Sequence, residues 1–407
     1  MRNWFKNIGP ATLIAAAFIG PGTVTLCSIA GVKFGFNLLW AMLLSIIATL
    51  VLQEMSARLG VVSQRGLSEV LRDQIQNPVV KILSFLLIIS AIVIGNAAYE
   101  AGNISGGVLG LSTILPNSSI DIGSFSLNYL NLVIGVIAFI ILYIGNYKIL
   151  ERILVVLVIL MSLSFVITAF VTKPDIISVL KGVFIPQFPD DSLFTIIGLI
   201  GTTVVPYNLF LHASLVKEKW HRKEDLPLVR KDTFIALIVG GIVSMAIIIS
   251  ASSSNLTSIN SAIDIAKGLE PIYGSLAKYF LAIGLFAAGI TSAITAPLAT
   301  AYVMKGIFGW KKSLKSKRFK AVWMFILLLG VLFSSLHIKP IEIIKFAQIA
   351  NGILLPVISG FLLWIMNKKE VLGKYSNNLT QNILGFIILG VTIFLGLKSI
   401  WKVISSF

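Results

Sequence analysis

Two tetrapeptides set in apolar surroundings carry the chemistry of this chain: Gly20-Pro21-Gly22-Thr23 and, about half a chain later, Val205-Pro206-Tyr207-Asn208. Proline there ends one helical segment and starts another, leaving backbone N–H and C=O groups without intrahelical partners. Hydrocarbon tolerates such groups only where the backbone lines a protein cavity. Interruptions at matching positions of two halves point to a midplane binding site of the kind found in inverted-repeat secondary transporters. The segment that resumes at Gly22-Thr23-Val24-Thr25 offers free amides, the positive end of a helix dipole and two hydroxyls, which suit a small oxyanion. Thr202, Thr203, Tyr207 and Asn208 add neutral donors, and Gly20 brings no fixed negative charge. The bland alternative is that Gly-Pro-Gly-Thr merely preserves the break.

The elements that must position these residues follow from composition. Of 407 residues, 57% are hydrophobic and 12% charged, with a mean hydropathy of +0.94. These values exclude an ordinary soluble protein and predict an all-α polytopic membrane protein. Apolar stretches at 36–51, 82–94, 130–144, 154–170, 234–249, 279–293, 322–333 and 384–397 each supply most of a span of ~20 residues. Adding 343–366 and the two broken segments gives eleven transmembrane helices. The expected organisation is one transport domain over 1–407, with repeat one at about 8–171, repeat two at about 191–366 and an extra helix at about 381–401.

Charge placement orients the chain in the cell membrane. Lys217, Lys219, Arg222, Lys223, Arg230 and Lys231 crowd the loop after the sixth span, and Lys305 to Lys320 carries seven basic residues after the eighth. Both loops are expected in the cytoplasm, which puts the N-terminus inside and, after eleven spans, the C-terminus outside. The net charge of +16 is what short basic loops between spans produce, so the lipid bilayer is the expected partner and no nucleic acid is. Cys27 is alone and forms neither an intramolecular disulfide nor a thiolate cluster. Arg2 and Lys6 precede an apolar run as in a signal peptide, but the run continues past the break, as a retained span does. Residues 65–76 form a short amphipathic stretch with Leu67, Val70 and Leu71 on one side, expected at the inner interface.

These residues resemble the Nramp divalent-metal transporters, whose fold is that of the amino-acid transporter LeuT. The first span of that family carries Asp-Pro-Gly-Asn and the sixth Met-Pro-His-Asn followed by a Leu-His-Ser run; here they read Gly20-Pro21-Gly22-Thr23 and Val205-Pro206-Tyr207-Asn208, then Leu211-His212-Ala213-Ser214. Ser56-Ala57-Arg58-Leu59-Gly60, Gly289-Ile290-Thr291-Ser292 and Gln348, eight residues before Pro356, extend the likeness from about Gly9 to Ile400. The resemblance implies a LeuT-type fold with a 5+5 inverted repeat and broken helices 1 and 6.

The family's metal ligands, carried over by this resemblance, fall on Gly20, Thr23, Val205, Thr202 and Gln348. The carboxylate has become glycine and the thioether valine. A divalent ion stripped of water needs ligand charge as well as number, so tight Mn²⁺ or Fe²⁺ binding is not expected. Which metal, if any, binds stays open. The family's proton route is thinned as well, with Tyr207 for its His and Ala97 for its Asp, while Glu100 remains. Glu100 and His212 are the candidates for coupling, an ionisable residue inside a span being a functional hypothesis by default. His212 is weighed more heavily as structural, because it lies five residues past the break.

The expected substrate-binding residues are therefore Gly20, Gly22, Thr23, Thr202, Val205, Tyr207, Asn208 and Gln348. No catalytic triad, phosphate loop or metal-hydrolase spacing appears, so neither an enzyme nor a resident cofactor is expected. The sequence predicts a secondary transporter of a small inorganic ion, a metal cation by family resemblance. The alternative is a small anion such as bicarbonate, or a carboxylate-bearing solute.

Overall fold

A computed structural model describes residues 19–115, 118–122, 125–145, 148–254, 256–310, 316–336 and 338–404. Helices follow the apolar runs, because a backbone in lipid must satisfy its hydrogen bonds within the segment. In chain order they are α1 (Pro21–Phe34), α2 (Leu39–Ser63), α3 (Leu67–Gln74), α4 (Pro78–Leu111), α5 (Tyr129–Ile144), α6 (Lys148–Val171), α7 (Ile176–Phe184), α8 (Leu193–Thr203), α9 (Pro206–Lys219), α10 (Leu226–Ser252), α11 (Ala262–Lys267), α12 (Glu270–Tyr273), α13 (Ala277–Ile307), α14 (Lys317–Ser334), α15 (Pro340–Met366), α16 (Lys369–Leu372) and α17 (Leu379–Ile404).

Eight helical stretches among the described residues are long and apolar enough to cross a membrane. The other three expected spans coincide with α1, α5 and α14. The half of the first span that precedes α1 lies outside the described residues. Helix α5 has only 16 residues, and α14 opens on Lys317, Arg318 and Lys320. The loop between α4 and α5 holds an element that the apolar pattern does not announce, an antiparallel hairpin of β1 (Ser119–Ile122) and β2 (Phe125–Asn128).

Burial ranks the spans. The most apolar window of 193–219, which contains the second break, is 83% buried, against 22% for that of 78–111. The interrupted segment is thus an inner element screened from lipid, as its unpaired backbone requires. Helix α3 is expected at the interface, and it docks on protein: Leu67, Val70 and Leu71 are fully buried, against α13, α9 and α15.

Candidate substrate site at the two helix breaks

The helices that start at Pro21 and Pro206 begin in the same way. Pro21 is the first residue of α1 after an extended Gly20, and Pro206 is the first residue of α9 after an extended Val205. Proline costs nothing at this position, where an N–H has no intrahelical partner, and its fixed φ suits the first turn. No side chain caps either end. Among their backbone groups, Gly20 O accepts from Val24 N at 3.2 Å and Val205 O from Asn208 N at 3.0 Å.

Hydroxyls join the elements around the breaks. Thr23 Oγ1 and Thr202 Oγ1 lie 2.6 Å apart, fully buried, which ties α1 to the last turn of α8. The next residue, Thr203, makes a hydroxyl contact with Ser45 of α2. Consecutive threonines thereby hold the end of α8 to two different helices. Helix α15 closes over the pair. A Cβ on Gly22 would strike the Gln348 side-chain amide, and one on Gly201 would strike the Gln348 carbonyl and come within 2.7 Å of the Gly352 nitrogen. Glycine at both positions is what admits α15 this closely.

Several buried polar atoms here have no protein partner among the described residues: both amide atoms of Asn208, Gln348 Oε1, Thr25 Oγ1, Ser28 Oγ and Asn351 Nδ2. Asn208 is fully buried and Gln348 is 1% exposed. Buried polar atoms without partners are uncommon and need a cause. Asn351 and Ser28 were not among the residues expected from sequence. Asn351 stands three residues after Gln348, on the same face of a helix, and that spacing was the available signal.

The remaining candidates are distributed differently. Val205 is fully buried at the start of α9 and brings no donor. The Tyr207 ring meets Tyr99 of α4 edge-on, with centroids 5.4 Å apart. Glu100, also on α4, is fully buried with its methylenes against Gly330 of α14. Its Oε2 accepts a 3.4 Å hydrogen bond from Asn103, and Oε1 has no protein partner among the described residues. His212 is set apart from the break: its Nδ1 lies 2.8 Å from Gln53 Oε1, joining α9 to α2.

Ion pairs stand at the end of the bundle that carries the basic loops. Glu69 of α3 caps its own helix at the Gly66 amide, 3.0 Å away, and takes Lys217 of α9 at 2.9 Å. Burial raises the Glu69 pKa, but the bonds from Lys217 and Gly66 outweigh it and hold the carboxyl below the ordinary glutamate range. Among the described residues no three His, Cys, Asp or Glu side chains cluster as a metal site.

A multi-helix bundle with an interior helix interrupted at proline, and neutral oxygens gathered at the interruption, defines a multi-pass membrane transporter rather than an enzyme. The chain matches the family described as natural resistance-associated macrophage protein-like over residues 11–402, and it belongs to that family. It is 26% identical over 400 residues to the divalent metal cation transporter MntH of Caldanaerobacter subterraneus subsp. tengcongensis, covering 95% of this chain and 91% of the relative. The manganese transporter of Eremococcus coleocola superposes with a TM-score of 0.76 at 19% identity, covering 97% of this chain and 86% of that one. MHP1, a nucleobase-cation-symport-1 family transporter in a closed conformation, gives a TM-score of 0.62 at 16% identity, covering 98% and 93%. The fold is of the LeuT type.

Proposed function

We propose that this chain is a secondary transporter that carries a small inorganic ion through the two breaks, and that the ion is a divalent metal cation moved with much of its water shell. Family membership and the activities for which the relatives are named support a metal. The observation that carries the finer reading is the neutral character of the buried cluster. Thr23, Thr202, Asn208 and Gln348 offer oxygens without charge, and Gly20 and Val205 offer no side-chain ligand. Neutral oxygens do not offset the loss of water from a divalent ion. They do hydrogen-bond to water that the ion keeps, and Mg²⁺, which dehydrates reluctantly, is the cation best suited.

A second reading is a small oxyanion such as bicarbonate. It draws on the uncapped amino end of α1, beside the unpartnered Thr25 hydroxyl, with glycine rather than a carboxylate at position 20. Uptake into proteoliposomes, comparing Mg²⁺, Mn²⁺ and bicarbonate with a CO₂-only control, separates the two. The first reading expects Mg²⁺ uptake that Mn²⁺ inhibits only at comparable concentration. Bicarbonate uptake without Mg²⁺ uptake replaces it with the second.

Alternating access then moves repeat one, at about 8–171, against repeat two, at about 191–366, with the segment 381–401 appended. The basic loops are assigned to the cytoplasm, the N-terminus with them and the C-terminus outside. Glu100 is the coupling group, because it is a buried carboxyl beside the Tyr99–Tyr207 pair, with one weak donor. Glu100→Gln is expected to keep substrate movement and lose proton co-movement, read as intravesicular pH during uptake. Proton co-movement that survives the substitution transfers the role to His212.

A further inference from the structure

A second polar centre lies at the basic end of the bundle, away from the breaks. Glu54 of α2 faces two guanidiniums: Oε2 accepts from Arg58 at 3.0 Å and Oε1 from Arg230 Nε at 2.8 Å. One carboxylate between two cations leaves one positive charge in excess. The Arg58 side chain is 2% exposed and also donates to the Tyr375 carbonyl at 2.7 Å and Asn377 Oδ1 at 2.8 Å, so it is held in place. The Arg230 side chain is 40% exposed and commits only its Nε to protein among the described residues. Beside it opens a cavity of about 320 Å³ between α2, α10 and α17, with Arg230, Gln381 and the arginine-paired Glu54 at its polar part and Leu50, Val51, Met55, Phe234 and Leu384 along its walls.

We propose that this cavity binds the headgroup of an anionic phospholipid, with Arg230 on the phosphate and acyl chain along Phe234 and Leu384. Charge complementarity carries the proposal. The excess charge sits where both Glu54 oxygens are already taken by arginines, and the free terminal nitrogens of a guanidinium match a phosphate in a two-bond geometry. The walls choose between a lipid and a free phosphate. Phe234 and Leu384 are 39% and 40% exposed on α10 and α17, two helices long and apolar enough to cross a membrane. A soluble anion gains nothing from them, whereas an acyl chain covers them. Basic pockets between helices at a membrane surface recognise anionic lipids by this combination.

The test uses the full-length protein purified in detergent and stripped of lipid. Its melting temperature and native mass spectrum are followed with phosphatidylglycerol, phosphatidylcholine and inorganic phosphate. The proposal expects retained, stabilising phosphatidylglycerol, little effect of phosphatidylcholine and none of phosphate. Arg230→Gln leaves the Glu54–Arg58 pair intact and is expected to weaken phosphatidylglycerol about tenfold, as loss of a charge-assisted hydrogen bond does. Leu384→Trp, which fills the wall without touching charge, is expected to weaken it as well. Equal retention of both lipids, phosphatidylglycerol binding unchanged in Arg230→Gln and in Leu384→Trp, or equal stabilisation by free phosphate would each overturn the proposal.

Discussion

The two polar regions of this molecule are built on opposite principles. At the breaks, Thr23, Thr202, Asn208 and Gln348 gather without a single charge, and their link across the two broken helices is one hydroxyl contact of 2.6 Å. At the basic end, Glu54, Arg58 and Arg230, and separately Glu69 and Lys217, form ion pairs that tie α2, α3, α9 and α10 together. The difference follows from desolvation. A charge deep in the bundle costs several kcal/mol, of order, unless it is paired and hydrogen-bonded, and an unpaired charge at a transport site must be matched by its substrate. This chain keeps its ion pairs in the struts, and the site proposed at the breaks gathers neutral oxygens, which on that proposal suits substrates bound by dipoles.

The contrast can be broken from the charged side first. Arg58→Ala removes a nearly buried cation and with it three charge-assisted hydrogen bonds, to Glu54, the Tyr375 carbonyl and Asn377, leaving Glu54 to Arg230 alone among the described residues; the expected cost is ~3–5 kcal/mol, seen as a large fall in thermal stability of the purified protein. At the breaks, Gly20→Glu places a negative charge beside the amino end of α1. At an effective dielectric of ~20 and ~5 Å it repels an anion by about 3 kcal/mol, or about a hundredfold in affinity. Anion uptake unchanged in a folded Gly20→Glu protein removes the anion reading. Thr202→Val deletes the hydroxyl that meets Thr23 at constant shape, with an expected cost of ~0.5–1.5 kcal/mol in stability. Its readouts are melting temperature and uptake together.

The smallest effect expected is at Glu69, whose side chain is 25% exposed. Glu69→Gln is expected to cost under about 1 kcal/mol at neutral pH. Because the folded state holds this carboxyl below its ordinary value, its contribution is fully present above about pH 4, the usual glutamate value, and is lost as pH falls further. Melting curves of native protein and Glu69→Gln should therefore converge below about pH 4.

How much of this was legible in the sequence depends on the kind of residue. The helix starts at Pro21 and Pro206 were, because proline fixes its own local geometry, whereas the sidedness of the charged loops is an expectation from counting Lys and Arg. Thr23 and Thr202 stand out by their place beside the breaks and Gln348 only through family resemblance; that Thr23 bonds to Thr202, and that Gln348 lies over Gly22, are contacts between residues more than a hundred positions apart. The sharing of Glu54 between Arg58 and Arg230 was invisible for the same reason, since an i,i+4 pair predicts only the first of them. Helix α3 was legible as amphipathic, but its apolar face reads the same whether lipid or protein covers it.

Calorimetry of the purified protein with Mn²⁺ tests the neutral-site account most directly. The native chain is expected to show no micromolar site. The combined Gly20→Asp, Thr23→Asn and Val205→Met variant, which restores a carboxylate and a thioether, is expected to gain Mn²⁺ affinity. A tight Mn²⁺ site in the native chain that disappears in Gln348→Ala would contradict the account.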